Sequence, residues 1–181
     1  MSLRLRRPDR DDLDSIVDWI GDPAFHALFY VGDDRTSQQI GQQVLGMVGG
    51  AVALNLNPTG QFIVEDEAPK TVGLVSIQDL SWRNRSCSAE VYLVQANRGP
   101  RDTAEAYRAV IAYSFDEFNL HRVSVRVSPD DTALHEELLR MGARREVVLR
   151  GHIARGGEPK DVYEFGVLRA EFKPGALQES N

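Results

Sequence analysis

The chain has 181 residues, of which 42% are hydrophobic and 27% charged, and 21 Lys+Arg against 27 Asp+Glu give a formal net charge of −6. This composition is typical of a globular protein and excludes collagen-like, mucin-like and wholly disordered chains. The negative net charge argues against broad nucleic-acid binding.

Length indicates one domain over residues 1–173, and residues 174–181 are expected to form a flexible tail. Cys87 is the only cysteine, so it has no internal disulfide partner, and a reducing compartment is the simple interpretation. The opening segment MSLRLRRPDRDDLD has no apolar h-region, which predicts no secretory signal. Residues 40–59 are too polar and too rich in glycine to span a bilayer. A cytoplasmic protein with no membrane partner is therefore expected.

The chain begins with a predicted strand and an amphipathic helix. Residues 3–7 (LRLRR) alternate apolar and charged side chains, as a strand does. Asp9 is the expected N-cap of the helix, with Asp12 three residues later, and Gly21 is expected to end it. Its core face consists of Leu13, Ile16, Val17 and Ile20. A second helix is predicted from about Thr36, because Ile40, Val44 and Val48 are spaced one helical turn apart.

Three strands are predicted in the middle of the chain. Residues 61–66 and 71–80 form a candidate antiparallel hairpin, because only a short turn containing Pro69 separates them. Residues 88–94 (SAEVYLV) form the third strand. These strands supply the centre of the predicted sheet.

A helix, a strand and a second helix follow. Asp102 is the expected N-cap of the first helix, with Glu105 completing a capping box. Its core face consists of Ala104, Tyr107, Ile111, Ser114, Phe115 and Phe118. Residues 122–128 (RVSVRVS) alternate as a strand over a core does. Residues 133–141 form a short helix, and Gly142 is its expected C′ residue.

The last two predicted strands cover residues 145–153 and 160–170. The element order is therefore β α α β β β α β α β β. The strand–helix–strand unit over residues 88–128 is a crossover, so its two strands should be parallel and the connection right-handed. This order predicts an α/β fold with a mixed, mostly antiparallel sheet, a central parallel strand pair and helices on both faces.

The loop QANRGPRDT joins the third strand to the helix, and it is the strongest candidate for a binding site. A helix N-terminus offers unpaired N–H groups and the positive end of the helix dipole, which suit a phosphate. Arg98 and Arg101 add positive charge beside it.

Four segments of the chain occur in the order and spacing of one enzyme family. They are RLRRPDRDDLDSI, SAEVYLVQANRGPRDTAEAYRAVIAYSF, NLHRVSVRVSPDDTALHEELLRMGA and LRGHIARGGEPKDVYEFGVLRAEF. Through them the chain resembles the GCN5-related N-acetyltransferases (GNAT), in particular the branch similar to ribosomal-protein N-terminal acetyltransferases. The resemblance implies that the two parallel strands splay apart. It also implies N-acyltransferase activity, in which an acetyl or related acyl group moves from acyl-CoA to a primary amine.

The same resemblance implies where acetyl-CoA, the co-substrate, lies. Its pantetheine would pair with backbone in the gap between the splayed strands, and its pyrophosphate would lie on the amides of the loop and helix start. The implied cofactor-binding residues are Leu93, Val94, Arg98, Gly99, Arg101, Asp102, Thr103, Ala104 and Asp131.

Two departures from the family pattern leave alternatives open. Arg101 and Thr103 stand where the family loop Arg/Gln-x-x-Gly-x-Gly/Ala has its small residues, and Pro100 removes an N–H donor. In the family's Asn-x-x-Ser pattern, Asp131 replaces the asparagine and Leu134 replaces the hydroxyl that would protonate the leaving thiolate. The alternatives are a different acyl donor, either a carrier-protein thioester or an aminoacyl-tRNA, and a non-catalytic ligand-binding module.

The expected catalytic residue is Glu90, which lies on the third strand close to the splay. An amine that attacks a thioester loses a proton, so a carboxylate base is needed there. A backbone N–H near Val94 is expected to polarise the thioester carbonyl. Tyr163, His135 and Tyr92 are the candidate acids for the thiolate.

The expected acceptor is a small-molecule or peptide amine, bound by residues 25–30, 82–85 and 155–159. The four histidines are scattered and lack the spacing of metal ligands, so no metal is expected. No nucleic-acid partner is expected, and the chain is expected to be a monomer or a homodimer.

Overall fold

The computed structural model describes residues 3–19, 21–28, 60–155 and 158–175. Within these ranges the chain forms seven strands and four α-helices. The strands are β1 (Arg4–Arg6), β2 (Gln61–Glu65), β3 (Thr71–Ser81), β4 (Ser86–Leu93), β5 (Arg122–Val127), β6 (Arg144–Arg155) and β7 (Glu158–Leu168). The helices are α1 (Leu13–Trp19), α2 (Pro23–Leu28), α3 (Pro100–Asp116) and α4 (Thr132–Arg140).

The seven strands form one sheet in the order β1-β2-β3-β4-β5-β7-β6. Only the β4–β5 pair is parallel among the pairs of the described strands, and α3 connects these two strands. The predicted mixed sheet with a central parallel crossover is therefore confirmed.

Each face of the sheet carries its own hydrophobic cluster, so helices flank both faces as predicted. The larger cluster lies under α3 and α4 and includes Leu93, Tyr107, Val110 and Leu138. The smaller cluster lies on the opposite face, where Ile16 of α1 and Phe25 of α2 pack against Leu74 and Tyr92. Alternation along β4 explains the division, because successive side chains of a strand point to opposite faces.

The parallel pair comes apart part-way along its length. The β4–β5 register runs from Ser86↔Arg122 to Ala89↔Val125 and ends there, although β4 continues to Leu93 and β5 to Val127. We call the opening between residues 90–93 and residues 126–127 the fork. It is the splay that the family resemblance implies.

The start of α3 differs from the prediction. The helix begins at Pro100, and its N-cap is Gly99, which makes no side-chain capping bond. The prediction that Asp102 is the N-cap is therefore wrong; Asp102 lies in the first turn. Proline stabilises the first helical position, because its fixed φ suits a helix and its missing N–H would have no partner there.

The N-terminal helices also differ from the prediction. A 3₁₀ turn over Arg10–Asp12 precedes α1, and the Asp12 carboxylate accepts the Asp9 N–H at 2.8 Å, so the two aspartates cap this turn. Helix α2 was not predicted, although Asp22 followed by Pro23 is a typical helix start. The helix predicted from about residue 36 lies outside the described residues.

Helix α4 ends before Gly142, as the sequence predicts, whereas its N-cap was not predicted. The Asp131 carboxylate accepts the Leu134 N–H at 3.1 Å, which makes Asp131 the N-cap. Gly142 follows the helix with φ +92°, in the left-handed region that favours glycine.

Candidate active site

The backbone of β4 directs specific groups into the fork. Val94 donates its N–H to the Val72 carbonyl at 2.9 Å, so residues 92 and 94 bond toward β3. Alternation then turns the N–H and C=O groups of Val91 and Leu93 toward β5, and they line the fork because β5 has diverged. The Val94 N–H itself is bonded to β3, so the N–H near Val94 that is turned toward the fork is that of Leu93. The amides that face the fork are those of Val91 and Leu93.

Tyr107 of α3 places its hydroxyl in the fork. Its side chain is buried, and the hydroxyl hydrogen bonds to the backbone of Val91. Burial, followed by the negative charge of Glu90, raises the pKa of Tyr107, and the charge of Asp131 adds to this; the Val91 hydrogen bond lowers it. The phenol therefore keeps its proton at neutral pH. The sequence placed Tyr107 only on a core face, and the missed signal is that a buried hydroxyl needs a polar partner.

Glu90 approaches the fork from the other face of the sheet. It lies opposite Ser76 of β3, and its Oε2 accepts a hydrogen bond of 3.3 Å from Gln78 Nε2. It shares a face with Tyr92, which packs on α1 and α2, whereas Tyr107 reaches the fork from the α3 side. A carboxylate and a phenol therefore meet the open end of the parallel pair from opposite faces.

The start of α3 provides donors for an anionic group. The first hydrogen bond of the helix runs from Thr103 N–H to the Gly99 carbonyl at 2.9 Å, so the amides of Arg101 and Asp102 precede the helical ladder. Arg101 is exposed beside them. The negative charge of the Asp102 carboxylate reduces the positive potential at this end of the helix. Its Oδ2 lies 3.5 Å from the position that a Cβ on Gly99 would take. Ala104 is fully buried under the helix start. The amides and the Arg101 side chain fit a phosphate group.

Arg98 lies between the fork and the smaller hydrophobic cluster. Its Nε donates to the Leu93 carbonyl at 3.0 Å, its Nη1 donates to Gln95 Oε1 at 3.0 Å, and its Nη2 is paired with Asp22. The structure therefore brings Arg98 to the fork-facing carbonyl of Leu93 and directs its guanidinium toward α2.

Tyr92 and His135, two of the three candidate acids, have hydrogen-bond partners outside the fork, and Tyr163 lies opposite Val127 of β5. The Tyr92 hydroxyl donates to Asp22 at 3.1 Å, and His135 Nε2 lies 2.8 Å from the Ser128 carbonyl. The Tyr163 ring packs on His135, with 5.4 Å between ring centroids. Among the described contacts, the one hydroxyl bonded to the fork edge of β4 is that of Tyr107.

The expected acceptor segments are described only in part. Trp82 is 55% exposed and packs edge-on against Phe118, at a centroid distance of 5.9 Å. Residues 29, 30, 156 and 157 lie outside the described residues.

Among the described residues, no group of three or more His, Cys, Asp or Glu side chains is placed to hold a metal ion. No described helix is long and apolar enough to cross a membrane.

Comparisons with known proteins identify the family. The family model of the acetyltransferase (GNAT) domain matches residues 2–144. The N-acetyltransferase p20 of Bacillus licheniformis is 22% identical over 170 residues, which cover 94% of each chain. The spermidine N(1)-acetyltransferase of Vibrio cholerae is 24% identical over 123 residues, covering 64% of this chain and 67% of that protein.

Solved structures share the fold. The spermidine N-acetyltransferase of Vibrio cholerae, crystallised with CoA and spermine, superposes with a TM-score of 0.78 at 19% identity, and the match covers 94% of this chain and 97% of that chain. The ribosomal-protein branch is not among these relatives. The chain belongs to the GNAT acetyltransferase family and is an N-acyltransferase, which moves an acyl group from acyl-CoA to a primary amine.

Proposed function

We propose that this enzyme acetylates a small cationic amine of the polyamine class, with acetyl-CoA as donor and with the reacting carbonyl in the fork. One observation carries the proposal: the β4–β5 ladder ends at Ala89↔Val125, and Glu90 and Tyr107 meet the opening from opposite faces. An opening in a sheet exposes backbone groups that an amide-containing chain such as pantetheine can bind.

The chemistry assigns one proton transfer to each side chain. The amine nitrogen attacks the thioester carbonyl carbon, a C–N bond forms and the C–S bond breaks. Glu90 accepts the proton that the amine loses, directly or through water. The Tyr107 hydroxyl donates a proton to the departing thiolate and then regains one from solvent. The N–H of Leu93, which faces the fork, is the donor best placed for the carbonyl oxygen.

The start of α3 would hold the pyrophosphate of the donor. The amides of Arg101 and Asp102 and the exposed Arg101 side chain support this assignment, and Gly99, Thr103 and Ala104 shape the helix start around them. Pro100 at the first helical position removes no donor that the helix would use. Asp131, the N-cap of α4, stays a candidate donor-binding residue.

Two facts favour a polyamine acceptor. The Vibrio cholerae relative of the same fold was crystallised with spermine. This chain carries a net charge of −6, and a negative field attracts polycations. The resemblance to ribosomal-protein N-terminal acetyltransferases names a peptide α-amine as the second acceptor class.

The test is a panel assay with purified enzyme and acetyl-CoA, in which release of free thiol is measured. The acceptors are spermidine, spermine, an aminosugar and a short peptide with a free N-terminus. Spermidine and spermine are expected to give the highest kcat/KM. A higher kcat/KM with the peptide would show that the acceptor is a peptide N-terminus and that the polyamine assignment is wrong.

The donor needs a separate measurement. Calorimetry with acetyl-CoA is expected to show micromolar binding. If the folded protein does not bind acetyl-CoA, the donor assignment is wrong, and a carrier-protein thioester, an aminoacyl-tRNA or a ligand-sensing role takes its place.

A further inference from the structure

Arg98 joins three parts of the chain through one guanidinium group. Each of its three nitrogens has a partner: Nε the Leu93 carbonyl at 3.0 Å, Nη1 the Gln95 Oε1 atom at 3.0 Å, and Nη2 the Asp22 carboxylate. The guanidinium carbon also lies over the Tyr92 ring, 5.4 Å from its centroid. We call these five residues the Arg98 cluster. It links the end of β4, the turn that follows it and the segment before α2.

Asp22 connects the Arg98 cluster to α2. Its Oδ1 accepts the Ala24 N–H at 2.9 Å and caps the helix, while its Oδ2 accepts the Tyr92 hydroxyl at 3.1 Å. Burial alone would raise the pKa of Asp22, but hydrogen bonds from Arg98, Ala24 and Tyr92 lower it below its ordinary value. The carboxylate is therefore charged at neutral pH, and it holds α2 and β4 together.

Arg101 has different surroundings. It lies in the first turn of α3, is exposed, and has no hydrogen bond or ion pair within the part of the chain that the structure describes. A guanidinium has five N–H donors, and three of those of Arg98 are already bonded within the protein, whereas no described partner occupies those of Arg101. The two arginines of the loop therefore have unequal access to a phosphate.

We propose that Arg98 is a positioning residue that holds α2 against the end of β4 and does not ligate the donor's pyrophosphate, the role that the proposed function gives to Arg101. The proposal rests on the proposed acetyl transfer, because α2 covers the sheet face from which Glu90 meets the fork. Loss of the Arg98–Asp22 pair should displace α2 on the acceptor side. Loss of the Arg101 side chain should weaken the binding of the donor.

The first experiment needs no substrate. Arg98→Met, Asp22→Asn and the double variant are compared by thermal unfolding. Each single change should lower Tm by about 3–10 °C, since a hydrogen bond to a charged group is lost from a chain of this size. The double variant should fall little further than the worse single variant, because both remove the same pair. Additive losses would overturn the positioning role, whether or not the enzyme acetylates polyamines.

The second experiment separates the two substrates. Arg98→Lys keeps the charge but carries its three N–H donors on one nitrogen, so it cannot reach Leu93, Gln95 and Asp22 together as the planar guanidinium does, and its Tm should fall as far as that of Arg98→Met. In both variants the acceptor KM should rise by about 2–30-fold, the range for residues that act through another element. The Kd of CoA, measured by calorimetry, should stay within about twofold of wild type.

Arg101→Met is the matched control in the same loop. It should weaken CoA binding by about tenfold, as expected for one lost charge-assisted hydrogen bond, and leave Tm unchanged. The opposite pattern, in which Arg98→Met weakens CoA tenfold and Arg101→Met does not, would make Arg98 the phosphate ligand and overturn the proposal.

Discussion

Replacement of Tyr107 by phenylalanine tests the central feature of the proposed site, because it removes one oxygen atom and keeps the buried ring. The hydroxyl hydrogen bonds to the backbone of Val91 in the fork, and the ring lies in the hydrophobic cluster under α3. A positioned proton donor accelerates a reaction by about 10²–10⁴-fold, which corresponds to about 3–5 kcal/mol of activation free energy. We therefore expect kcat to fall by at least about 100-fold, with little change in the acceptor KM.

The effect on stability should be small by comparison. One neutral hydrogen bond is worth about 1 kcal/mol, and for a chain of this size that corresponds to a Tm lower by about 2–4 °C. The variant should therefore remain folded at the assay temperature, and the loss of kcat cannot be attributed to unfolding. This separation lets the assay report on chemistry.

The assay is steady-state thiol release with acetyl-CoA and spermidine, and the control is Tyr113→Phe. Tyr113 lies on the same helix, and its ring packs on Phe62 and Phe118 at centroid distances of 4.7 and 5.3 Å. The control should keep kcat within about twofold of wild type, because it removes a hydroxyl that has no assigned part in the reaction. A Tyr107→Phe variant with wild-type kcat would refute the assignment of Tyr107 as the acid.

Three further predictions follow from individual residues. Glu90→Gln should lower kcat/KM by about 10²–10⁴-fold at pH 7, and activity within tenfold of wild type would exclude it as the base. Asp12 is 3% exposed and paired with Arg6 at 2.6 Å; burial alone would raise its pKa, but hydrogen bonds from Arg6 and Asp9 lower it. Urea unfolding of Asp12→Asn should show a loss of about 2–3 kcal/mol at pH 7. A carboxyl whose pKa is lower in the folded state stabilises the fold at pH values above its unfolded pKa of about 4. The difference in unfolding free energy between wild type and Asp12→Asn should therefore shrink as the pH falls below 4, and a difference that does not change with pH would contradict this role of Asp12. Gly142→Ala puts a Cβ 2.1 Å from a backbone oxygen at φ +92°, so Tm should drop by ~5 °C or more, whereas Gly21→Ala, with open space around it, should change little.

Local patterns in the sequence determined most of the architecture. The alternation of residues 122–128 predicts β5, and Gly142 predicts the end of α4, because these signals depend only on neighbours along the chain. The order of the elements then required a parallel crossover. Family membership followed from segments whose order is itself a property of the sequence.

The site depended on contacts between residues far apart in the chain. The end of the β4–β5 register at Ala89↔Val125, the meeting of Tyr107 with Val91, and the pairing of Arg98 with Asp22 all join separate elements. A sequence pattern shows which face of a helix or strand is buried, but it does not show which backbone groups lose their partners when two strands diverge. The tertiary structure decided this, because strand divergence and long-range hydrogen bonds are set by the packing of whole elements.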